Sequence, residues 1–188
     1  MNFFKHLRTI NHHRRLVRKY CFKCGLIYQG LVHDLSKYSR IEFKNGCKYY
    51  RGTGSPHYKE RTDKGYSEAW MHHKGRNKHH CEYWSDFNYV TRLYEPVKMP
   101  RKYVAEMFCD RIAASKTYNP KTYTNEFPLN YFYREIDYLP IHAETSKELE
   151  MLLRMLKDRG EKETFRYIKN EYLKGDKKWN FILLLMKQ

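Results

Sequence analysis

The stretch Leu26-Ile27-Tyr28-Gln29-Gly30-Leu31-Val32-His33-Asp34-Leu35-Ser36-Lys37 decides how this chain is read. An apolar run with the length of a short buried helix ends in an imidazole and a carboxylate side by side. Burying such a pair without partners is costly, and a divalent metal is the cheapest explanation. The rest of the chain supplies partners: His12-His13 upstream, His72-His73 and His79-His80 downstream, and Asp110 later.

Upstream, Phe3, Leu7, Ile10, Val17, Cys21 and Cys24 recur at helical spacing, which predicts a long amphipathic helix ended by Gly25. At about 100° per residue, His13 lies roughly 60° from the centre of the apolar face and His12 points nearly opposite. His13 is therefore the better ligand. His6, near the same face, reads as a hydrogen-bonded core residue.

Downstream, a short helix carrying His33-Asp34 is expected, then another through Ile41, Glu42 and Phe43 up to Gly46. A Gly-, Pro- and Ser-rich loop should run from Tyr49 to Tyr66. Ser67 can cap a helix carrying Glu68 to Lys74, with Gly75 as its stop. Arg76 to Asn88 reads as partly irregular. Pro100 suits the first turn of a helix to about Thr117. Further helices are predicted over Leu129 to Tyr138, from a Thr145 cap to Gly160, and over Glu161 to Leu173, before an apolar tail from Phe181 to Met186. No repeats and no strands are evident, so the expected fold is all-α. It divides into a helical core over 1–120 and a C-terminal helical extension over 121–188, packed on the same domain.

On one straight helix His72-His73 and His79-His80 would stand about 10 Å apart. A turn at Gly75 and Asn77 must bring them together, or the pairs serve two neighbouring ions. Asp110 lies on a stripe with Tyr103, Met107 and Ala114, and a carboxylate on an inward stripe wants a cation. Glu106, one turn earlier, is its main rival and could equally pair with Arg101 or Lys102. Lys37, one turn after Asp34, is placed to meet a substrate phosphate or pair with a ligand carboxylate.

The charge balance, 37 Lys plus Arg against 21 Asp plus Glu and a net +16, favours an anionic partner. A phosphorylated small molecule or nucleotide fits, and so does nucleic acid, because Tyr, Phe and Trp are scattered among the basic residues. Five cysteines, irregularly spaced, read as reduced thiols. Cys21-x-x-Cys24 lacks the second pair a zinc ribbon needs. Met1 to Arg8 has no uninterrupted apolar stretch of the signal-peptide kind, and no apolar run approaches membrane-spanning length. A cytoplasmic location is expected.

In chain order the candidates read His13 … His33-Asp34 … His73 … His80 … Asp110. This order resembles the HD-domain superfamily of metal-dependent phosphohydrolases, whose signature is H…HD…D, with extra histidines before the last Asp in dinuclear members. His33-Asp34-Leu35-Ser36-Lys37 is similar to the HD-x-x-K element of the HD-GYP phosphodiesterases and of the dinuclear-iron HD oxygenases. His13-Arg14-Arg15-Leu16-Val17 is similar to the H-x-x-x-V start of many HD domains. The chain looks closest to an uncharacterised bacterial and phage HD-like family in which Arg76-Asn77-Lys78-His79-His80 recurs.

The resemblance spans about Phe3 to Thr117 and implies a bundle of at least five helices. It implies one or two divalent transition metals (Mn, Fe, Zn, Ni or Co), with His13, His33, Asp34 and Asp110 on the first and Asp34 bridging to the second. His73 or His72, His79 and His80 would serve the second. Asp34 with Lys37, Arg76 and Lys78 would carry the chemistry, the cations steadying phosphate charge. No Gly-Tyr-Pro follows the HD element, so cyclic-di-GMP cleavage is not expected. Hydrolysis of a phosphoester is the leading expectation. An oxygenase with two irons and a non-catalytic nucleic-acid-binding protein are the alternatives.

Overall fold

A computed structural model describes residues 2–175, so the apolar tail from Phe181 to Met186 lies outside the described residues. The fold is all-α apart from one small hairpin. Helix α1 (Phe3–Lys23) buries His6, Ile10, His13, Val17, Tyr20 and Cys21, spaced as one stripe of a 3.6-residue period. Gly25, at φ 80°, turns the chain out of it through a left-handed conformation that favours glycine. Short α2 (Ile27–Val32) packs back on α1 and ends in a 3-10 turn, Leu35–Tyr38. Next come α3 (Arg40–Tyr49), α4 (Pro56–Lys64) and α5 (Glu68–Lys74), which pack on one another.

Three expectations need correction here. His33 and Asp34 sit on no helix: α2 stops at Val32, and Asp34 takes φ 55°, ψ 25°, a left-handed conformation that breaks the helical path. The stretch from Tyr49 to Tyr66 is not one loop, because α4 occupies most of it. Ser55 caps α4, and Pro56 follows at its first turn. Of α4 only Glu60 is buried, where it accepts from Ser67 Oγ at 2.6 Å and ties α4 to α5. Strands also exist: β1 (Ser85–Asn88) pairs antiparallel with β2 (Leu93–Pro96), Ser85 opposite Pro96 and Asn88 opposite Leu93.

Helix α6 (Arg101–Tyr118) is the centre of the bundle, burying Val104, Ala105, Met107, Phe108, Cys109, Ile112 and Ala113. Burial on nearly every side is what a central helix requires. It packs along α1, where Cys24 and Cys109 bring their sulfurs to 3.7 Å. Cys21, Cys24 and Cys109 are free, fully buried thiols, and among the described residues no cysteine joins a metal-binding group.

Helix α7 (Phe127–Glu135) leads to α8 (Ala143–Tyr167), which is kinked at Gly160 and followed by a π turn, Ile168–Tyr172. Leu149, Leu152, Leu153 and Leu156 form its wholly buried stripe. Each such leucine contributes about 1.5–3 kcal/mol of burial. His142, not Thr145, caps α8; Thr145 is buried and accepts from the Met99 amide at 3.0 Å. The C-terminal helices therefore close the same core that α1 and α6 begin.

Candidate metal centre

Four structural levers aim the polar residues at one point. The buried stripe of α1 carries His13 inward between Ile10 and Val17. The left-handed turn at Asp34 swings its carboxylate into the bundle. Arg14 pins that turn, donating from Nε to the His33 carbonyl at 2.8 Å and from Nη2 to the Leu31 carbonyl at 3.2 Å. Those are carbonyls at the end of α2, which lack partners within the helix. The inner face of α6 brings Asp110, and α5 with the turn after it brings His73, His79 and His80.

Around Asp34 Oδ2 stand His33 Nε2 at 3.3 Å and His13 Nε2 at 3.5 Å; Asp110 Oδ1 is 2.9 Å from His13 Nε2 and 3.4 Å from His33 Nε2. Around Asp34 Oδ1 stand His73 Nε2 at 3.3 Å and His79 Nε2 at 3.6 Å, with His80 completing the group. Within each group the donor atoms lie within 4.8 Å of one another. Ligands about 2.1 Å from a common ion are themselves about 3–4 Å apart. One carboxylate thus faces two sets of donors, one with each oxygen.

The approaches are not hydrogen bonds. His13 Nε2, His33 Nε2, Asp34 Oδ1, His79 Nε2 and His80 Nε2 are buried and have no hydrogen-bond partner, while Asp34 Oδ2 is ion-paired with Lys37. Native interiors seldom leave even one such atom unmatched, and here five meet at one place. This donor set, imidazole and carboxylate, suits Mn, Fe, Zn, Ni or Co better than calcium. The residues fit one or two such ions.

Behind the donors stands a second layer. Glu106 Oε1 is 2.9 Å from His33 Nδ1 and 3.3 Å from His79 Nδ1; Glu42 accepts from His73 Nδ1 at 2.8 Å. With a carboxylate accepting at Nδ1, Nε2 is left to present its lone pair to the centre. Asn77 donates to the His73 carbonyl and to Ser36 Oγ, both at 2.8 Å, and so holds the turn that folds His79 and His80 back towards His73.

Charge follows this geometry. Burial opposes ionisation of Asp34, yet His33, Lys37 and His73 hold its carboxyl well below the usual range. Asp110 is likewise held down against burial by the neighbouring imidazoles of His13 and His33. Burial opposes charge on His33 too, but Asp34, Asp110 and Glu106 outweigh it and raise its pKa well above the ordinary value. His80, buried beside His79 and His73, is pushed well below. A metal held here would take the place of the proton that these carboxylates favour on His33. Lys37 Nζ lies 2.6 Å from Asp34 Oδ2 with its side chain a quarter exposed, so it faces both the carboxylate and solvent.

The centre opens into a cleft of ≈ 620 Å³ whose lining includes His57, Arg61, Trp70, Arg111, Tyr118 and Tyr131. Arg61 lies over the Trp70 ring at 5.4 Å.

The structure brings together His13, His33, Asp34, His73, His79, His80 and Asp110, with Lys37 beside them. It does not bring in His72: both histidines bond to Glu42 through Nδ1, but only His73 also presents Nε2 to Asp34 Oδ1, at 3.3 Å, so His73 is the donor of that pair. Arg76 and Lys78 do not line the cleft: Arg76 is exposed and donates to the His72 carbonyl, and Lys78 lies over the Tyr83 ring. Both belong to the outer rim of the turn whose inner side carries Asn77 and His79. Glu106 is a buried partner of the histidines, not of Arg101 or Lys102. His6 is buried, but its Nδ1 has no hydrogen bond. His12 is exposed, as the helical wheel requires. Sequence reasoning missed Glu42, although it heads a stripe with Gly46 and Tyr49 at i+4 and i+7 that is buried throughout.

The chain belongs to a family of unknown function, DUF5662, which matches residues 2–155. No curated protein and no solved structure matches it.

Proposed function

We propose that the protein is a metal-dependent phosphohydrolase of the HD type, acting on a phosphorylated small molecule or nucleotide. The observation that carries this reading is Asp34, each of whose oxygens meets its own set of histidines where the centre opens into the cleft. The order His13, His33-Asp34, Asp110 along the chain, shared with HD phosphohydrolases, supports the assignment. A divalent ion held there lowers the pKa of a bound water and polarises a phosphoryl oxygen.

The chain's own residues do the rest. Asp34 and Asp110 concentrate negative charge where cations are held, and Glu106 and Glu42 fix the imidazoles in the right tautomer and orientation. Lys37 pairs with Asp34 and lines the cleft, and it steadies charge developing on phosphate. Arg61 forms no ion pair among the described residues, so its guanidinium is free to hold a second anionic group of the substrate.

The test is turnover of a panel of nucleotides and phosphate esters by protein reconstituted with Mn, Fe, Co, Ni or Zn. Hydrolysis is expected in the wild type, absent in His33→Ala and Asp34→Ala, and reduced about 10²–10³-fold in Lys37→Ala. Hydrolysis that survives in either of the first two variants overturns the proposal. So does an iron-loaded protein that consumes dioxygen and hydrolyses no ester.

A further inference from the structure

The helix that turns His13 inward turns a different chemistry outward. On the solvent side of α1, Lys5, Arg8, His12, Arg15, Arg18 and Lys19 are all exposed. Helix α1 contains no Asp or Glu, and among the described residues none of Lys5, Arg8, Arg15, Arg18 and Lys19 forms an ion pair. Of the lysines and arginines of α1, only Lys23, at the end of the helix, approaches a carboxylate among the described residues, Glu161 at 4.0 Å.

Arg8, His12, Arg15 and Lys19 follow at intervals of four, three and four, so they stand one above another on a single face. From Lys5 to Lys19 this row is about 21 Å long. Phe4, 82% exposed, and Phe22, 40% exposed, project from the same side at its two ends. Beside the second of them His12, Arg15, Arg18, Lys19 and Phe22 line a shallow groove of ≈ 460 Å³.

We propose that this outer face of α1 binds the phosphodiester backbone of a single-stranded nucleic acid. Cations one helical turn apart match a regular row of phosphates better than one isolated phosphate. Leaving them unpaired lets each release counterions from a polyanion. The phenylalanines at the ends offer the flat surfaces on which unpaired bases stack. An anionic membrane fits less well. A helix lying in a bilayer surface needs an apolar face for the acyl boundary, and the apolar face of α1 is already spent on Ile10, Val17 and Cys21 in the core. The metal-binding residues use the opposite side of the helix, so this site stands or falls independently of the proposed hydrolysis.

Fluorescence anisotropy of labelled 20-nucleotide RNA and DNA strands, titrated with the full chain at several salt concentrations, tests it. Five contacts give a slope of log K against log salt of about −3.5 for a single strand. In R8E/R15E/K19E the slope should become shallower by about 2, with affinity on the order of 30-fold or more weaker at low salt. The control K147E/R159E/K162E removes the same charge from exposed positions of α8 and should stay within about threefold of wild type. The milder R8Q/R15Q/K19Q, with an unchanged melting temperature, guards against misfolding and should show the same direction of change. Equal losses in the two charge-reversed variants would reduce the effect to bulk charge and overturn the proposal. So would wild-type protein that binds phosphatidylserine vesicles but neither strand.

Discussion

The two halves of the centre are built in different ways. His13, His33 and Asp110 are held by the packing of α1, α2 and α6, and the first and last of these are long helices within the apolar core. His73, His79 and His80 come from the seven-residue α5 and the turn after it, held largely by polar contacts from Glu42, Asn77 and Ser36. Hydrophobic burial sets the position of His13 and Asp110, with Arg14 and Glu106 adding polar contacts at His33. Hydrogen bonds set the second, which makes it the softer of the two.

Substitutions that remove one donor should separate the halves most sharply. Asp110→Ala is expected to cost the first group at least about 100-fold in metal affinity while sparing the second. His80→Ala should do the reverse. Isothermal titration with Mn or Zn resolves the two sites, and equal losses at both in either variant would break the distinction.

The supporting carboxylates come next. Glu42→Gln should weaken only the second group, and Glu106→Gln both, because Glu106 touches His33 and His79; losses of about 10–100-fold are expected. A Glu42→Gln protein whose two affinities are unchanged would show that the turn is held by other means.

A smaller effect is expected at the cleft wall, where Gly46 meets His6. A Cβ at Gly46 would lie 2.0 Å from His6 Nε2. Gly46→Ala should therefore cost about 1–3 kcal/mol by overpacking, read from urea midpoints. If the midpoint is unchanged, the His6 ring is free to move.

The smallest effect is a pH dependence at the same place. Burial first, then Lys37, lowers the pKa of His6 from 6.5 to about 4. Between those values the unfolded chain binds a proton that the folded one refuses. The stability contributed by neutral His6 is therefore complete above pH 6.5 and is lost as pH falls towards 4. The loss amounts to about 1–3 kcal/mol. His6→Gln, which does not titrate, should lose less stability than wild type between pH 7 and 4.5. Parallel losses would mean that His6 is not the group responsible.

The contrast also explains what was legible in the sequence. The stripe of α1 is written in its spacing, and the helical wheel chose His13 over His12 without coordinates. Asp110 was readable for the same reason, through Met107 beside it. The second group was only partly legible. Between His72 and His73 the choice depends on which ring reaches Asp34, a residue far along the chain whose direction no local pattern fixes. Arg76 and Lys78 looked like phosphate contacts because their neighbours are donors, but alternate residues of that turn face outward. Helix α4 escaped because Pro56 to Lys64 shows no apolar stripe; its end caps and one buried carboxylate define it. The hairpin was hidden likewise, since four-residue strands with Asp86, Asn88 and Glu95 carry little alternation.

Metal content per chain, measured by elemental analysis on wild type and Asp34→Ala after loading and desalting, tests the central claim most directly. Because one oxygen of Asp34 faces each group, two ions per chain are expected in the wild type and close to none in Asp34→Ala. A wild-type protein that retains no transition metal, or a variant that keeps both ions, would contradict it.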